Sequence, residues 1–318
     1  MPSQRERLTV AVVGASGYTG AETLRWCLGH PQLDVIGATS RKHAGQTTRD
    51  VWAHLPEVPI TAEIPNADVL FLCLPHGEAA KLAPSLDARI VIDLSGDHRL
   101  PPSLHTAHYG FERPTAAWVY GLPELGPGRL RGATRIANPG CFATALVLAL
   151  LPARGAFQGR VQATGLTGST GSGVTPSEGT HHPLRAENLR PYKVLAHQHV
   201  PEVEQVIDGL SLDFVPISAP IRRGILVTAQ LPGLSAERWI SAYLNNPLVR
   251  VSRDPPELLD VLGSPRAHIG VVESAHSTAV FCAIDNLCRG AGSQAVSNLN
   301  LAMGWPVDLG LHHIPAVP

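Results

Sequence analysis

The chain has 318 residues, of which 44% are hydrophobic and 16% charged, and its 25 Lys and Arg residues nearly balance 26 Asp and Glu residues. This length suits two domains or one large one, and the net charge of −1 argues against binding of nucleic acid through a strongly basic domain. No apolar run approaches the ~18 residues of a membrane helix, and the N-terminus does not resemble a signal peptide. The five cysteines are widely spaced, which predicts a reducing cytoplasm rather than a disulfide framework.

The first half of the chain alternates short apolar runs with helical stretches. The strand candidates are Leu8–Val13, Leu33–Thr39, Asp68–Leu74 and Arg89–Leu94, and the helix candidates are Thr19–Leu28 and Glu78–Leu86. Such alternation predicts right-handed βαβ units and a parallel sheet covered on both faces. A connection rich in Pro, Gly and aromatic residues follows from about Arg99, and loops of such length are usually functional.

The second half predicts a different sheet. An apolar helix over Phe142–Leu151 precedes strand candidates that are more widely spaced. These strands are Val161–Leu166, Leu212–Ser218, Gly224–Leu231 and Thr278–Ile284, with helices near Ala236–Leu244 and Gly292–Met303. Wide spacing favours a mixed or antiparallel sheet, so the predicted fold class is α/β, with a Rossmann-type domain and a second, mixed-sheet domain.

A glycine-rich loop directly follows the first strand and opens the first helix. Glycine permits a tight turn and a close backbone approach, and the helix N-terminus offers N–H groups to a pyrophosphate. The spacing G-x-x-G-x-x-G departs from the usual G-x-G-x-x-G, so the structural context carries this prediction. The candidate dinucleotide contacts in the loop are Gly14, Ser16, Gly17, Tyr18, Thr19 and Gly20.

The end of the second strand indicates which dinucleotide binds. About twenty residues after the loop, an NAD enzyme usually carries an acidic residue for the ribose 2′-hydroxyl. Here the chain has Ser40, Arg41 and Lys42, and a hydroxyl beside two cations suits a 2′-phosphate. We therefore predict NADP(H), with a solvated basic turn as the alternative.

Cys141 is the candidate nucleophile. It follows Asn138-Pro139-Gly140 at the start of a strong helix, where the helix dipole and free N–H groups favour a thiolate. The other cysteines fall within predicted elements or in the turn after one, and packing is the alternative for Cys141 as well. A thiolate in a nicotinamide enzyme implies attack on an activated acyl group and reduction of the resulting thioester.

Candidates for the base and for substrate contacts cluster between residues 168 and 224. His197 and His199 form an H-x-H pair, which as a metal site would lack further ligands at finger-like spacing, so no metal is predicted. The loop Gly168–Gly173 offers N–H and hydroxyl donors through Ser169 and Gly171, with a flexible loop as the alternative. A guanidinium of Arg222 or Arg223 could hold a carboxylate or phosphate, or form a surface salt bridge.

Together these motifs resemble the semialdehyde dehydrogenase family, and within it the reductases of N-acetyl-glutamyl phosphate in arginine biosynthesis. The similarity spans nearly the whole chain. The motifs are GASGYTG at 14–20, LPHG at 74–77, DLSGDHRL at 93–100, YGLPEL at 120–125, NPGC at 138–141, HQHVPE at 197–202, RRGI at 222–225 and DNLCRGAGSQAVSNLN at 285–300.

The resemblance implies NADPH-dependent reduction of an acyl phosphate to a semialdehyde with release of phosphate. It implies a Rossmann domain (1–138 plus 290–318) into which a catalytic and oligomerisation domain (139–289) is inserted, in a homo-oligomer, a dimer or a tetramer. Cys141 is the expected nucleophile, and His197 is preferred over His199 as the acid/base. The further candidate contacts are Pro75 and Asn298, together with Ser40, Arg41, Ser169 and Gly171, for the cofactor, and Arg99, Ser169, His182, Tyr192 and Arg222 for the substrate.

Two departures leave the substrate open. Most such reductases have H-R-H where this chain has His197-Gln198-His199, and a GVSGAG-like loop where it has residues 167–173. Residues 180–193 and 303–311 also resemble the lysine-pathway reductase, whose aminoadipyl phosphate is attached to an amino-group carrier protein. The NPGC and YGLPEL motifs favour the arginine enzyme. An aspartate-semialdehyde dehydrogenase and a non-catalytic NADP-binding regulator remain alternatives.

Overall fold

The computed structural model describes residues 7–113 and 116–312. This part of the chain divides into two compact units, one made of residues 7–139 and 291–312 and the other of residues 140–290. Residues 1–6 and 313–318, which the sequence assigned to the cofactor domain, lie outside the described residues. None of the described helices is long and apolar enough to cross a membrane.

The first unit is built on a parallel sheet, as predicted. Its strands are β1 (Leu8–Val13), β2 (Leu33–Thr39), β3 (Ile60–Thr61), β4 (Val69–Leu72), β5 (Ile90–Asp93), β6 (Val119–Tyr120) and β7 (Arg135–Ala137). They lie in the order β3-β2-β1-β4-β5-β7-β6, and every neighbouring pair is parallel. The chain reverses its direction of growth between β1 and β4, the switch point at which doubly wound sheets bind dinucleotides.

Two helices of this unit were not predicted, the short helix between β2 and β3 and the helix after β5. The helices of the unit are α1 (Tyr18–Leu28), α2 (Thr48–Val51), α3 (Glu78–Leu82), α4 (Pro102–Tyr109) and, after the second unit, α9 (Ser293–Ala302). The sequence predicted a loop where α4 lies. Pro102 suits the first helical position, and Gly110 ends the helix with a φ of 75°, so the residues that suggested a loop are helix boundaries.

The second unit contains the predicted mixed sheet. Its strands are β8 (Gly159–Thr167), β9 (Arg190–Pro191), β10 (Leu210–Ser218), β11 (Ile225–Pro232), β12 (Val249–Ser252), β13 (Ala267–Glu273) and β14 (Ser277–Ile284), in the order β12-β13-β14-β11-β8-β10-β9. β8 and β10 are parallel, whereas β11 is antiparallel to both β8 and β14. β9, β12 and β13 were not predicted from the sequence.

The helices of this unit pack on the sheet, and one of them holds the C-terminal end of another. They are α5 (Cys141–Leu150), α6 (His182–Arg185), α7 (Val200–Glu204) and α8 (Glu237–Tyr243). Residues 142–150 of α5 are all buried, and α5 packs on β11 and β14. Its last carbonyls accept hydrogen bonds from α8, from Trp239 to Ala149 at 2.7 Å and from Tyr243 to Leu148 at 2.8 Å.

Three buried histidines make the stability of the protein sensitive to acid. Burial lowers the pKa of His30 and His105, and lowers that of His197 to about 4. In the unfolded chain each titrates near ~6.5. As the pH falls below ~6.5, the unfolded chain takes up protons that the folded chain does not, so stability present at neutral pH is lost. For His197 the loss amounts to about 3 kcal/mol once the pH reaches ~4.

We expect the free energy of unfolding to fall as the pH drops from ~6.5 toward ~4, and we expect His105→Leu to reduce that dependence. His105 is fully buried and packs against the rings of Tyr109 and Phe111. His276→Gln, at an exposed turn position, is the control and should leave the dependence unchanged. Urea titrations across this pH range measure it, and equal pH slopes for His105→Leu and the unmodified protein would contradict the assignment.

Candidate active site

Cys141 is the first residue of α5, directly after the N-cap residue Gly140. The first hydrogen bond of the helix runs from the Thr144 N–H to the Gly140 carbonyl at 2.8 Å. The thiol is partly exposed, whereas burial raises the pKa of Cys27, and raises that of Cys73 to about 12. Cys141 is thus placed where helix N–H groups favour a thiolate.

His199 and Glu202 lie against the residue before Cys141. A Cβ at position 140 would lie only 2.2 Å from His199 Nε2, so the imidazole can occupy this position only because residue 140 is glycine. Glu202 is fully buried, accepts a hydrogen bond from the Gly140 N–H at 3.0 Å, and has Oε1 3.9 Å from His199 Nε2. Glu202 therefore lies beside both the N-cap of α5 and the His199 imidazole.

His197 lies behind His199 in an aromatic environment. Its Nδ1 accepts a hydrogen bond from the His199 backbone N–H at 3.2 Å, and its ring packs edge-on against Phe142, Phe214 and His199. Burial and the charge of Lys193 lower the pKa of His197 to about 4. At neutral pH this side chain is therefore neutral, with Nδ1 acting as an acceptor.

Tyr192 completes the group around the thiol. Its ring lies 5.9 Å from that of His197. Burial and the negative charge of a Cys141 thiolate raise the pKa of Tyr192, whereas Arg185 and Arg190 act in the opposite direction. The phenol is therefore close enough to the thiol and to both guanidinium groups to sense their charges.

The other candidate residues of the second unit differ in their exposure and in the groups that they contact. Ser169 and Gly171 lie in a short 3₁₀ helix after β8, and the Ser169 hydroxyl accepts a hydrogen bond from Arg185 Nε at 2.8 Å. His182 is exposed at the start of α6. Arg222 is exposed, and its neighbour Arg223 bonds to the buried Asp285 at 2.5 Å, so Arg223 has a structural partner.

The glycine-rich loop lies at the carboxyl end of β1, beside β4. Gly14 has a φ of 92°, and a Cβ there would lie 2.3 Å from the Cys73 carbonyl oxygen, so only glycine fits. The chain then enters α1 through the N-cap Gly17, and Tyr18, Thr19 and Gly20 form its first turn, which contains no acidic residue. The first-turn N–H groups and the helix dipole suit an anion here.

The residues after β2 and β4 border this loop. The Ser40 hydroxyl donates a hydrogen bond to the Ser16 hydroxyl at 3.1 Å. Arg41 is 93% exposed and lies 3.9 Å from Glu78, a long ion pair. Pro75 is exposed in the turn that leads from β4 to α3. These positions place a hydroxyl and a cation at the switch point of the sheet.

Two candidates of the first unit are held by internal hydrogen bonds. The buried Arg99 guanidinium donates to the Asn138 and Leu94 carbonyls, both at 2.7 Å. Asn298 in α9 is also buried and donates to the Gly121 carbonyl at 2.7 Å and to Asn138 Oδ1 at 3.0 Å. Both side chains brace the connection between β5 and α5.

The sequence analysis did not single out Glu202, Arg185 or Arg190 as site residues. Glu202 is the third residue after His199 in HQHVPE, and side chains three residues apart in a helix are neighbours. This spacing is the signal that could have identified Glu202. The two arginines carry no signal of their own, because their neighbourhood depends on the pairing of β9 with β10.

Both units of the chain match known protein families. The family model described as "Semialdehyde dehydrogenase, NAD binding domain" matches residues 9–133, and that described as "Semialdehyde dehydrogenase, dimerisation domain" matches residues 141–286. The fold also matches the crystal structure of aspartate semialdehyde dehydrogenase II from Vibrio cholerae, with a TM-score of 0.74 at 18% identity, covering 93% of this chain and 98% of that one. The predicted α/β fold class is confirmed.

Two relatives are similar over almost their full lengths. The N-acetyl-gamma-glutamyl-phosphate reductase of Salinispora tropica is 40% identical over 328 residues, covering 96% of this chain and 97% of the relative. The (LysW)-L-2-aminoadipate 6-phosphate reductase of Deinococcus radiodurans is 40% identical over 339 residues, with the same coverage.

Proposed function

The chain belongs to the semialdehyde dehydrogenase family, and from that premise we propose that it reduces N-acetyl-glutamyl 5-phosphate to N-acetyl-glutamate 5-semialdehyde with NADPH, releasing phosphate, in arginine biosynthesis. The observation that carries the proposal is the group formed by Cys141, His199 and Glu202 at the start of α5. We assign residues 7–139 and 291–312 to the cofactor domain and residues 140–290 to the catalytic domain.

The chemistry follows from the residues of the second unit. His199 accepts the thiol proton, and Cys141 Sγ attacks the acyl carbon. The bond from that carbon to the phosphate oxygen breaks, phosphate leaves and a thioester remains on Cys141. NADPH, when bound, supplies the hydride that converts the thioester to the aldehyde. His199 then returns the proton to the departing Cys141 thiolate.

His199 is the acid/base that this proposal favours, whereas the family resemblance gave the preference to His197. A group whose pKa is about 4 holds a proton in only about one molecule in a thousand at pH 7, so His197 is a weak acceptor there. His199 instead has a carboxylate partner in Glu202 and lies next to Cys141. Glu202 and His197 act as positioning residues for it.

The residues at the switch point of the first unit fit NADPH. The glycine loop leaves no room for a Cβ at residue 14, and no acidic side chain occupies the first turn of α1. Ser40 and Arg41 supply a hydroxyl and a cation for the 2′-phosphate, and Pro75 borders the same edge.

We expect Arg41→Gln to weaken NADPH binding about tenfold, because a charge-assisted contact to a phosphate is lost. NADH has no 2′-phosphate, so its dissociation constant should change by less than about twofold. Lys81→Gln, at an exposed cation on α3, is the control. Fluorescence titration with both nucleotides measures the difference, and equal weakening of NADH and NADPH would remove Arg41 from the 2′-phosphate site.

The function is tested by running the reaction backward with NADP⁺ and phosphate. The aldehydes are N-acetylglutamate semialdehyde, aminoadipate semialdehyde on its carrier protein, and aspartate semialdehyde. We expect the highest kcat/KM with N-acetylglutamate semialdehyde. A preference for the carrier-bound aldehyde would assign the chain to the second candidate function, that of the aminoadipate relative, and a preference for aspartate semialdehyde to the third.

A second copy of the chain is the proposed partner of the open sheet face of the catalytic domain. Helices α5, α7 and α8 pack on one face, and along the other a continuous band of side chains is only partly buried. The band comprises Thr164, Leu166, Val215, Ile217, Leu226, Thr228 and Phe281. Its apolar character suits a homo-oligomer, whether a dimer or a tetramer.

We expect Leu226→Arg to dissociate this assembly, because it would bury a charge in the contact. Leu226 lies next to Leu166 across the pairing of β11 with β8, near the middle of the band. Sedimentation velocity measures the change in mass. Leu259→Arg, at an exposed apolar residue outside the sheet, is the control, and an unchanged mass for Leu226→Arg would exclude this face.

A further inference from the structure

Between β8 and β10 the chain forms an exposed segment, residues 174–196. The proposed reaction does not account for the strained backbone of this segment or for its arginine side chains. Every non-glycine residue with positive φ in the described ranges belongs to it: Glu187 at 57°, Lys193 at 43° and Leu195 at 57°. Left-handed backbone at such residues is costly and persists where surrounding structure enforces it. The strained positions flank Arg190 and Tyr192, which points to a requirement on where these side chains lie.

Backbone pairing brings Arg190 next to Arg185. Arg190 is opposite Ser218 in the pairing of β9 with β10, and the next residue, Ala219, accepts a hydrogen bond at its carbonyl from the Arg185 guanidinium. Arg185 Nε also donates to the Ser169 hydroxyl at 2.8 Å. The Arg190 side chain is exposed, and its guanidinium lies beside Gly179. Its charge acts on Arg185, because burial together with the charge of Arg190 lowers the pKa of Arg185.

Within the part of the chain that the structure describes, no carboxylate forms an ion pair with Arg185 or Arg190. Two cations that act on each other repel. The partners of Arg185 are the Ser169 hydroxyl and the Ala219 carbonyl, and because both are uncharged they do not offset this repulsion. An arrangement of this kind suits an anion that is not part of the described protein, and paired guanidinium groups match the geometry of a carboxylate.

The two arginines and the candidate nucleophile Cys141 all act on the same side chain, Tyr192. The phenol senses the charges of Arg185, Arg190 and Cys141, and its ring packs against His197, which supports His199. An acyl chain whose carbonyl carbon is at the Cys141 thiol can therefore extend past Tyr192 toward the arginines. Arg222, the sequence candidate for this task, is exposed, and its backbone carbonyl is bonded to the Thr170 N–H at 3.1 Å.

We propose that Arg185 and Arg190 form the binding site for the carboxylate of the substrate, at the end of the acyl chain remote from the carbon that Cys141 attacks. The site selects acyl phosphates that carry a free carboxylate at that distance. The identity of the reacting chain rests on the proposed function, whereas the site for a carboxylate rests on the two arginines themselves.

The test compares two aldehydes in the reverse reaction, N-acetylglutamate 5-semialdehyde and its α-carboxamide. In Arg190→Gln and Arg185→Lys we expect KM for the carboxylate to rise about tenfold or more, and KM for the carboxamide to change less than about twofold. Arg250→Gln, at an exposed arginine of β12, is the control and should match the unmodified protein. Equal changes for both aldehydes, or none for either, would overturn the assignment.

A binding measurement separates this site from the proposed reaction. We expect N-acetylglutamate to slow alkylation of Cys141 by iodoacetamide in the unmodified protein, with little protection in Arg190→Gln, as measured by peptide mass spectrometry. Protection that depends on Arg190, without turnover of either aldehyde, would keep the carboxylate site and reject the proposed function. Turnover with protection that is the same in both proteins would keep the function and reject the site.

Discussion

Replacing Cys141 by Ala is expected to lower kcat by about 10⁴-fold or more, because Cys141 is the proposed nucleophile that forms the thioester. Cys141 is partly exposed at the start of α5, and its side chain contributes little to the core. We therefore expect the dissociation constant for NADPH and the unfolding free energy to stay close to those of the unmodified protein. Steady-state kinetics and fluorescence titration of NADPH measure the two quantities.

Cys282→Ala is the matched control for this prediction. Cys282 lies fully buried in β14 of the same unit, so its replacement should cost some stability and leave kcat within about twofold. Turnover retained in Cys141→Ala would reject the thioester mechanism. Loss of turnover in both variants with loss of folded protein would show that the effect is structural.

The second large effect is expected for His199→Gln, which should lower kcat by about 10²- to 10⁴-fold, the range for a general acid/base. Glutamine keeps a hydrogen-bonding group near Glu202 but cannot carry a proton between Cys141 and the product. The pH profile of kcat should lose the limb that reports this proton transfer, and stopped-flow measurement of thioester formation should slow by a similar factor.

His197→Asn is the control that decides between the two histidines. Asparagine offers an acceptor to the His199 backbone N–H, the bond that His197 Nδ1 accepts, so we expect kcat to fall by less than about tenfold with the shape of the pH profile preserved. A larger loss for His197→Asn than for His199→Gln, with a changed profile, would return the acid/base role to His197.

The sequence was sufficient to predict those features that depend on residues close together in the chain. The glycine loop at Gly14–Gly20, the strand before it and the helix after it were predictable, because backbone freedom at glycine and apolar periodicity act over a few residues. Cys141 was recognisable in the same way, as the first residue of an apolar helix after Pro139 and Gly140. Helix α4 was missed because Pro102 and Gly110 mark helix ends as readily as they mark loops.

The different environments of the two histidines could not be predicted from the sequence. His197 and His199 are separated by one residue, and their environments differ because one faces Phe142 and Phe214 while the other faces Gly140 and Glu202. Burial lowers the pKa of His197, which lies among aromatic rings, whereas His199 lies beside a carboxylate. Neither neighbour is adjacent in the chain, so the spacing of the motif carries no information about the difference.

By itself the sequence determined the α/β class, the alternation of elements, the glycine-rich loop after the first strand and the position of Cys141 at the start of a helix, because each depends on residues close together in the chain. Tertiary structure alone decided the partners of the polar side chains. Arg99 and Asn298 bind backbone and side-chain groups within the first unit, and Arg185 binds the carbonyl of Ala219, next to the pairing of β9 with β10. Such meetings depend on strand register and on contacts between residues far apart in the chain, which local propensity does not encode.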